Sequence, residues 1–151
     1  MQNGGKKMEM ENKIREDFMK GYDCSQVVCS KFADKLGIDR NTAEKMSAAF
    51  GGGMQQGKTC GAYTGALIVL GLAYGHTDET DLMAQKEIMI QKMAEFREHF
   101  LNIFETDECK ELIGYDVSTP EGLQGALDSG KLLDYCPYLV EKVINILEDM
   151  L

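Results

Sequence analysis

Residues 50–65 read Phe-Gly-Gly-Gly-Met-Gln-Gln-Gly-Lys-Thr-Cys-Gly-Ala-Tyr-Thr-Gly, a glycine-rich stretch with Cys60 near its centre. The stretch leads directly into residues 66–70, Ala-Leu-Ile-Val-Leu, the most apolar run of the chain. Because glycine permits tight turns and close backbone approach, we expect a turn that opens into a buried helix. Two interpretations compete for the stretch: a phosphate-binding loop, and a reactive thiol at the start of that helix.

The segments on both sides of this stretch carry helical patterns. Asp23 and Gln26 have the spacing of a capping box, and Gly21 and Gly37 follow two of the apolar periodic segments. No segment alternates with period two over the length of a strand. The sequence therefore predicts an all-α fold, a compact helical bundle around a central glycine-containing apolar helix. The predicted helices are 11–20, 23–36, 41–50, 59–74, 80–104, 108–113, 121–128 and 137–150.

Length, charge and the first residues restrict the architecture and the classes of function. A chain of 151 residues can bury one core, so we expect residues 11–151 to form a single helical domain, preceded by a disordered or vector-derived N-terminus at residues 1–10. The 25 acidic residues outnumber the 16 basic ones, and the net charge of −9 argues against nucleic acid and against an anionic membrane as partners. The polar start lacks an apolar signal segment, which predicts a cytoplasmic location.

The sequence 52–59, Gly-Gly-Met-Gln-Gln-Gly-Lys-Thr, matches the pattern of a phosphate-binding loop. Such a loop functions between a strand and a helix, where backbone N–H groups surround the phosphates. The preceding residues 41–50 favour a helix, and nothing downstream predicts a parallel sheet. We therefore reject nucleotide binding and interpret Gly51 as a helix C-cap followed by a close-packed turn.

Four of the five cysteines share a predicted position at a helix N-terminus. The unpaired N–H groups and the positive end of the helix dipole there favour the thiolate, so we expect a lowered pKa for each of these thiols. Lys58 beside Cys60 and Lys110 beside Cys109 would act in the same direction. Cys29 differs, because it lies within an apolar stripe and is expected to be a small buried hydrophobic residue. The four cysteines at predicted helix starts are Cys24, Cys60, Cys109 and Cys136.

These four cysteines are far apart in sequence, and no C-x-x-C occurs. A shared site must therefore be assembled by the fold rather than by a local motif. If the helix starts converge, the cysteines could work as dithiol and disulfide pairs, or they could hold a zinc ion or an iron–sulfur cluster. No spacing links His76 or His99 to a particular cysteine, so a Cys–His hydrolase has no specific support.

The arrangement of these motifs resembles the C_GCAxxG_C_C family of redox-active proteins. The resemblance rests on Gly-Tyr-Asp-Cys-Ser-Gln at 21–26, on the glycines at 51–53 that lead to Cys-Gly-Ala-Tyr-Thr-Gly at 60–65, on Cys-Lys-Glu-Leu-Ile-Gly at 109–114, and on Cys136. The central motif reads Cys-Gly-Ala where the family label has Gly-Cys-Ala. The resemblance covers nearly all of the chain from residue 11. It implies a small α-helical redox-active domain and singles out the same four cysteines, but it implies no substrate.

These observations lead to a hypothesis with two alternatives. We expect a redox-active protein, a thiol-based oxidoreductase if it is an enzyme, with Cys60 as the central thiolate and Cys24, Cys109 and Cys136 as its resolving partners. Gly61, Gly65 and Lys58 are the candidate cofactor-binding residues. The first alternative is a metal or iron–sulfur module with the four cysteines as ligands, and the second is a structural or partner-binding helical domain.

The expected partner is a redox protein or a small redox substrate, which the sequence does not identify. The apolar helix at 59–74 would also suit packing against a second copy of the chain in a homo-oligomer.

Overall fold

The computed structural model describes the backbone of residues 2–151 and the side chains of residues 9–151. Within this range the chain is all-α, as the sequence predicts, and no strand occurs apart from an isolated antiparallel bridge between Thr59 and Glu108. No helix of residues 2–151 combines the length and the apolarity needed to cross a bilayer. The eight helices are α1 Gln2–Lys20, α2 Cys24–Phe32, α3 Arg40–Ser47, α4 Gly61–Tyr74, α5 Leu82–Phe104, α6 Cys109–Ile113, α7 Pro120–Asp128 and α8 Cys136–Met150.

Helix α1 begins at Gln2 rather than near residue 11, and Met10 packs against the core. The prediction that residues 1–10 lie outside the domain concerns mainly residues 1–8. The side chains of these residues are outside the described part of the chain, so the prediction stays untested there. Helix α2 ends at Phe32 instead of residue 36, because turns take over before Gly37. The predicted helix at 41–50 is α3 followed by a 3-10 turn, Ala48–Phe50.

Helix α2 packs closely against α4, and a glycine makes this approach feasible. A Cβ atom placed on Gly65 would lie 3.0 Å from the carbonyl oxygen of Ser25 and 3.1 Å from its Cα. The hydroxyl of Ser25 donates a hydrogen bond of 2.8 Å to the carbonyl oxygen of Ser47, which ties α2 to the end of α3. The glycine that ends the Cys-Gly-Ala-Tyr-Thr-Gly stretch, Gly65, is therefore explained by helix packing.

Helix α8 provides much of the core, and α1, α2, α4 and α5 all pack on it. Its buried apolar residues recur at helical spacing, and Tyr74 at the end of α4 donates to the carbonyl oxygen of Met150 at 2.8 Å. Tyr63 of α4 makes edge-to-face contacts with Phe96 and Phe100 of α5, with ring centroids 5.0 and 5.1 Å apart. The buried apolar residues of α8 are Pro137, Leu139, Val140, Val143, Ile144, Ile146, Leu147 and Met150.

Helix α5 buries less than its periodicity predicts. Only Phe96 and Phe100 are buried, whereas Leu82, Met93 and Ile103 are 38%, 39% and 44% exposed. The helix has 23 residues, while α4 and α8 have 14 and 15, so at about 1.5 Å per residue it is longer than either neighbour. An apolar stripe predicts that one face of a helix packs against neighbouring helices, but it does not predict how much of that face the neighbours cover.

The loop between α3 and α4 turns through a left-handed run of backbone. Gly52, Gly53, Met54 and Gln55 all have φ between 56° and 63°. Gly57 also has a positive φ, and the Gln55 side chain donates to the carbonyl oxygen of Gly51 at 3.1 Å. Left-handed backbone costs roughly 1–2 kcal/mol for a residue with a Cβ, so Met54 and Gln55 carry local strain. The segment connects two helices and does not follow a strand, as a phosphate-binding loop would. Its match to the sequence pattern of such a loop is therefore coincidental.

Two substitutions in this loop should have opposite effects on stability. Met54→Gly relieves the left-handed strain and should raise the free energy of unfolding by up to about 1 kcal/mol. Gly53→Ala should lower it by about 1–3 kcal/mol, because a Cβ there would collide with the backbone of Lys58. Denaturant unfolding of both variants measures the difference, and equal stability of the two variants would contradict the left-handed geometry.

Candidate thiol site

Four cysteines line one cavity of about 310 Å³. They enter it from four different helix starts, since Cys24, Cys109 and Cys136 are the first residues of α2, α6 and α8, and Cys60 directly precedes α4. All four are free thiols, and Cys60 is buried while the other three are half-buried. The fold thus assembles, from segments distant in sequence, the set of cysteines that the helix-start pattern selects.

Cys60 and Cys109 are held together by their backbones. The N–H of Cys60 donates to the carbonyl oxygen of Asp107 at 2.7 Å, and the N–H of Cys109 donates to the carbonyl oxygen of Lys58 at 2.6 Å. These two bonds flank the bridge between Thr59 and Glu108 and join the segments that lead into α4 and α6. The pair of bonds fixes the position of one thiol-bearing backbone against the other.

Cys24 is positioned by the cap of α2. Asp23 is the N-cap in extended conformation, and its N–H donates to the Gln26 side chain at 2.9 Å, so the predicted capping box is present. The sulfur of Cys24 lies against the backbone of Gly61, the residue that follows Cys60. A Cβ on Gly61 would collide with this sulfur and would lie 2.9 Å from the carbonyl oxygen of Phe50. Gly61 therefore lets the Cys24 sulfur reach the start of α4.

Cys136 occupies a helix start of a different kind. A helical turn, Lys131–Tyr135, runs directly into α8, and the N–H of Cys136 already donates to the carbonyl oxygen of Lys131. Pro137 is at the start of α8, as the sequence predicts. Because the preceding turn uses the backbone N–H of Cys136, the unpaired donors expected at a helix N-terminus are reduced here.

The expectation of lowered thiol pKa values is wrong. Burial raises the pKa of Cys24, raises that of Cys60 well above its usual range, and raises that of Cys109 to about 11 and that of Cys136 further. Backbone N–H groups do lower the pKa of Cys24 and Cys60, but the loss of water around a buried thiolate outweighs them. Lys58 is exposed and is not among the groups that shift the pKa of Cys60. Helix-start donors moderate the effect of burial without reversing it.

Cys24 is the common neighbour within the cluster. The charge of a Cys24 thiolate raises the pKa of Cys60, of Cys109 and of Cys136. Three backbone N–H groups, those of Gly52, Ser25 and Cys24 itself, lower the pKa of its thiol. The left-handed loop contributes the first of these donors. These donors oppose the effects of burial and of the Asp23 charge, both of which raise the pKa of Cys24.

The raised pKa of Cys109 predicts a loss of stability at alkaline pH. Its pKa is about 11 in the folded chain against the ordinary 9.0, so both states hold the proton at neutral pH. Above pH 9.0 the unfolded state loses its proton first, and the stability contributed by the protonated thiol falls until the pH passes about 11. Thiolate absorbance of the wild type minus that of Cys109→Ser should show an inflection near pH 11. An inflection at the ordinary 9.0 or below would contradict this environment.

The cavity wall is mainly apolar and includes residues that the sequence analysis missed. Phe18 and Tyr22 come from the end of α1 and the turn after it, and Leu132 and Leu133 come from the turn before α8. Leu123 and Leu127 of α7 line the cavity while being 42% and 44% exposed. Their spacing of four residues was a usable signal for one helix face, but nothing in the sequence indicates that Phe18 faces the thiols.

The structure places only one of the three candidate cofactor-binding residues in the cavity wall. Gly61 lines the cavity, whereas Gly65 lies at the contact between α2 and α4. The Lys58 side chain is exposed and outside the cavity wall. Cys29 is buried at 1% exposure and its thiol donates to the carbonyl oxygen of Gly65 at 3.4 Å, so it fills the core as predicted.

The four cavity cysteines are the candidate ligands for a metal site. Four thiols have the chemistry that zinc and iron–sulfur clusters require. Among the described residues, however, no group of three or more His, Cys, Asp or Glu side chains is arranged to hold a metal ion. The residues share a cavity without forming a preassembled metal site.

Comparisons with known proteins place the chain in a family. Neither the curated proteins nor the solved structures contain a match to it. A family model does match residues 22–150, with the description "Putative redox-active protein (C_GCAxxG_C_C)". The matched region includes all four cavity cysteines, the capping box of α2 and the glycines at the start of α4. The chain belongs to the C_GCAxxG_C_C family of redox-active proteins.

Proposed function

We propose that the protein is a thiol-based redox protein in which Cys24 and Cys60 cycle between a dithiol and a disulfide. The observation that supports this most is the convergence of four free cysteines on one cavity. Packing alone does not account for four thiols on one cavity. Cys29, in contrast, is buried in the core away from the cavity, as expected for a purely structural cysteine.

We assign the attacking role to Cys24 rather than to Cys60. Thiolates, not thiols, are the nucleophiles of disulfide exchange, so the reacting cysteine is the one whose thiolate is best stabilised. The pKa of Cys24 is raised by burial and by the charge of Asp23, and three N–H donors oppose that rise. The pKa of Cys60 is raised well above its usual range by burial and by the charge of Cys24, with two N–H donors opposing. Asp23 lines the cavity beside Cys24, and we assign its carboxylate as acceptor of the Cys24 proton.

The reaction balances as a two-electron exchange. The Cys24 thiolate attacks one sulfur of an oxidised substrate disulfide, forms a mixed disulfide and releases the other half as a thiolate, which takes up a proton. Cys60 then attacks the Cys24 sulfur, forms the internal disulfide and releases the second half as a thiol. The substrate gains two electrons and two protons, and the protein loses them. A small dithiol or a dithiol protein would restore the reduced form.

Cys109 and Cys136 form a second candidate pair in the same cavity. The charge of Cys109 raises the pKa of Cys136, and both are affected by Cys24. We assign them the role of passing oxidising equivalents to or from the Cys24–Cys60 pair by disulfide exchange. The reducing cytoplasm predicted from the sequence would keep the four thiols reduced between reactions.

Purification without oxygen, followed by thiol counting and metal analysis, tests this function. We expect a colourless protein with five titratable thiols after unfolding, and the loss of thiols in twos on mild oxidation. Stoichiometric zinc, or iron with labile sulfide, would instead support the metal module. Thiols that stay reduced under all conditions would favour a structural or partner-binding domain.

A further inference from the structure

We infer that the cavity takes a small, uncharged and predominantly apolar oxidant and discriminates against anionic ones. This inference rests on the proposed function, because it assigns the substrate class of the same site. It is carried by the composition of the cavity wall, the absence of cationic lining groups among the described residues, and the character of the rim.

The wall favours an apolar ligand in contact with the thiols. Eleven of its residues have large apolar or aromatic side chains, and they line the cavity together with the four cysteines. The cavity of about 310 Å³ is at the low end of the range of about 300–1,000 Å³ for small-molecule sites, which suits a ligand of one or two rings. The apolar wall residues include Phe18, Leu112, Leu132 and Leu139.

The charges of the site disfavour an anion. Among the described residues that line the cavity, Asp23 is the only charged one, and no Lys, Arg or His is present. A carboxylate that entered this wall would lose its water without gaining a cation, which is costly. The net charge of −9 would also slow the approach of a dianion. Peptide disulfides with several carboxylates are therefore poor substrates for this cavity.

The rim has the same character as the wall. Leu123 and Leu127 of α7 are partly exposed to solvent while they line the cavity. They present an apolar edge at the point where a ligand meets the cavity. This edge offers a site where one introduced cation can be tested without changing a cysteine.

Two kinds of oxidant share the required chemistry. An apolar disulfide accepts two electrons and two protons as its sulfur–sulfur bond breaks and two thiols leave. A quinone accepts the same two electrons and two protons at its carbonyl oxygens and leaves as a hydroquinone. In both reactions the two protein thiols lose their protons and form one sulfur–sulfur bond.

A matched pair of chromogenic disulfides tests the inference. Dithiodipyridine is neutral and aromatic, whereas dithiobis-nitrobenzoate carries two carboxylates and undergoes the same exchange. For each state of the chain, the rate with the neutral probe is divided by the rate with the dianionic probe. We expect this ratio to be at least about tenfold larger for the folded, reduced protein than for the urea-unfolded chain. Separate reactions with a fully substituted benzoquinone, whose ring resists addition of a thiol, and with diethyl disulfide distinguish the two sources of the oxidant.

Two lysine substitutions sharpen the test. Leu127→Lys adds a cation at the rim and should raise the rate with the dianionic probe by about tenfold, while the loss of an apolar wall residue should lower the rate with the neutral probe. Ile90→Lys adds the same charge at an exposed position on α5, outside the cavity wall, and should leave the ratio of the two rates unchanged.

The outcomes separate the two proposals. If both probes oxidise the protein with the ratio seen for the unfolded chain, the substrate class is wrong while the dithiol function stands. If neither probe nor quinone produces an internal disulfide, both proposals fail. A faster reaction of the wild type with the dianionic probe would overturn the inference directly.

Discussion

Cys24→Ser is expected to lower the rate of thiol loss by about a hundredfold or more, because it removes the thiol to which we assign the attack on the substrate. Its hydroxyl is a far weaker nucleophile at neutral pH and cannot form the mixed disulfide. The measurement is the rate of thiol loss with dithiodipyridine under anaerobic conditions. Cys60→Ser should behave differently: it should still react once and accumulate a mixed disulfide on Cys24.

Cys29→Ala serves as the matched control for these variants. Cys29 is buried in the core and outside the cavity wall, so its loss should cost stability without changing the rate of oxidation. If Cys29→Ala slowed oxidation as much as Cys24→Ser, the effect would come from general destabilisation. If Cys24→Ser retained the wild-type rate, Cys24 could not be the attacking thiol.

Gly61→Ala is expected to lower the free energy of unfolding by about 2–3 kcal/mol and to impair oxidation at Cys24. The added Cβ would collide with the Cys24 sulfur and press on the carbonyl oxygen of Phe50 and the Cα of Gly51, so both the sulfur and the backbone of the loop must move. Denaturant unfolding and the rate of thiol loss measure the two effects.

Gly71→Ala provides the control in the same helix. A Cβ at Gly71 would meet no other atom within 4 Å, and alanine is the better helix former by roughly 0.5–1 kcal/mol. This variant should therefore be more stable than the wild type and should oxidise at the normal rate. Similar losses in both variants would show that any methyl group on α4 is harmful, which would contradict the contact between Gly61 and Cys24.

Much of the fold could be predicted from local physical signals. The capping pair Asp23 and Gln26, the proline of α8 and the apolar period of α5 locate helices within a few residues of their observed bounds. Burial along α5 could not be predicted in the same way, because it depends on the lengths of α4 and α8. Periodicity identifies a face, and tertiary packing decides how much of the face is covered.

The candidate site was predictable in its residues but not in its electrostatics. The position of each cysteine at a helix start is a local property, so the pattern could select Cys24, Cys60, Cys109 and Cys136. The pKa of each thiol depends instead on how completely distant segments remove water from it. Phe18 and Leu132 belong to segments whose sequence does not indicate that they face the thiols. An order of reactivity within the cluster could therefore be proposed only with the fold.

Disulfide mapping by mass spectrometry tests the central claim most directly. The reduced protein would be treated without oxygen with one equivalent of a neutral disulfide, alkylated at acidic pH and digested. The account predicts a Cys24–Cys60 disulfide as the first product, with Cys29 alkylated as a free thiol after unfolding. A first disulfide that excludes Cys24, or thiols that pair only between molecules, would contradict it.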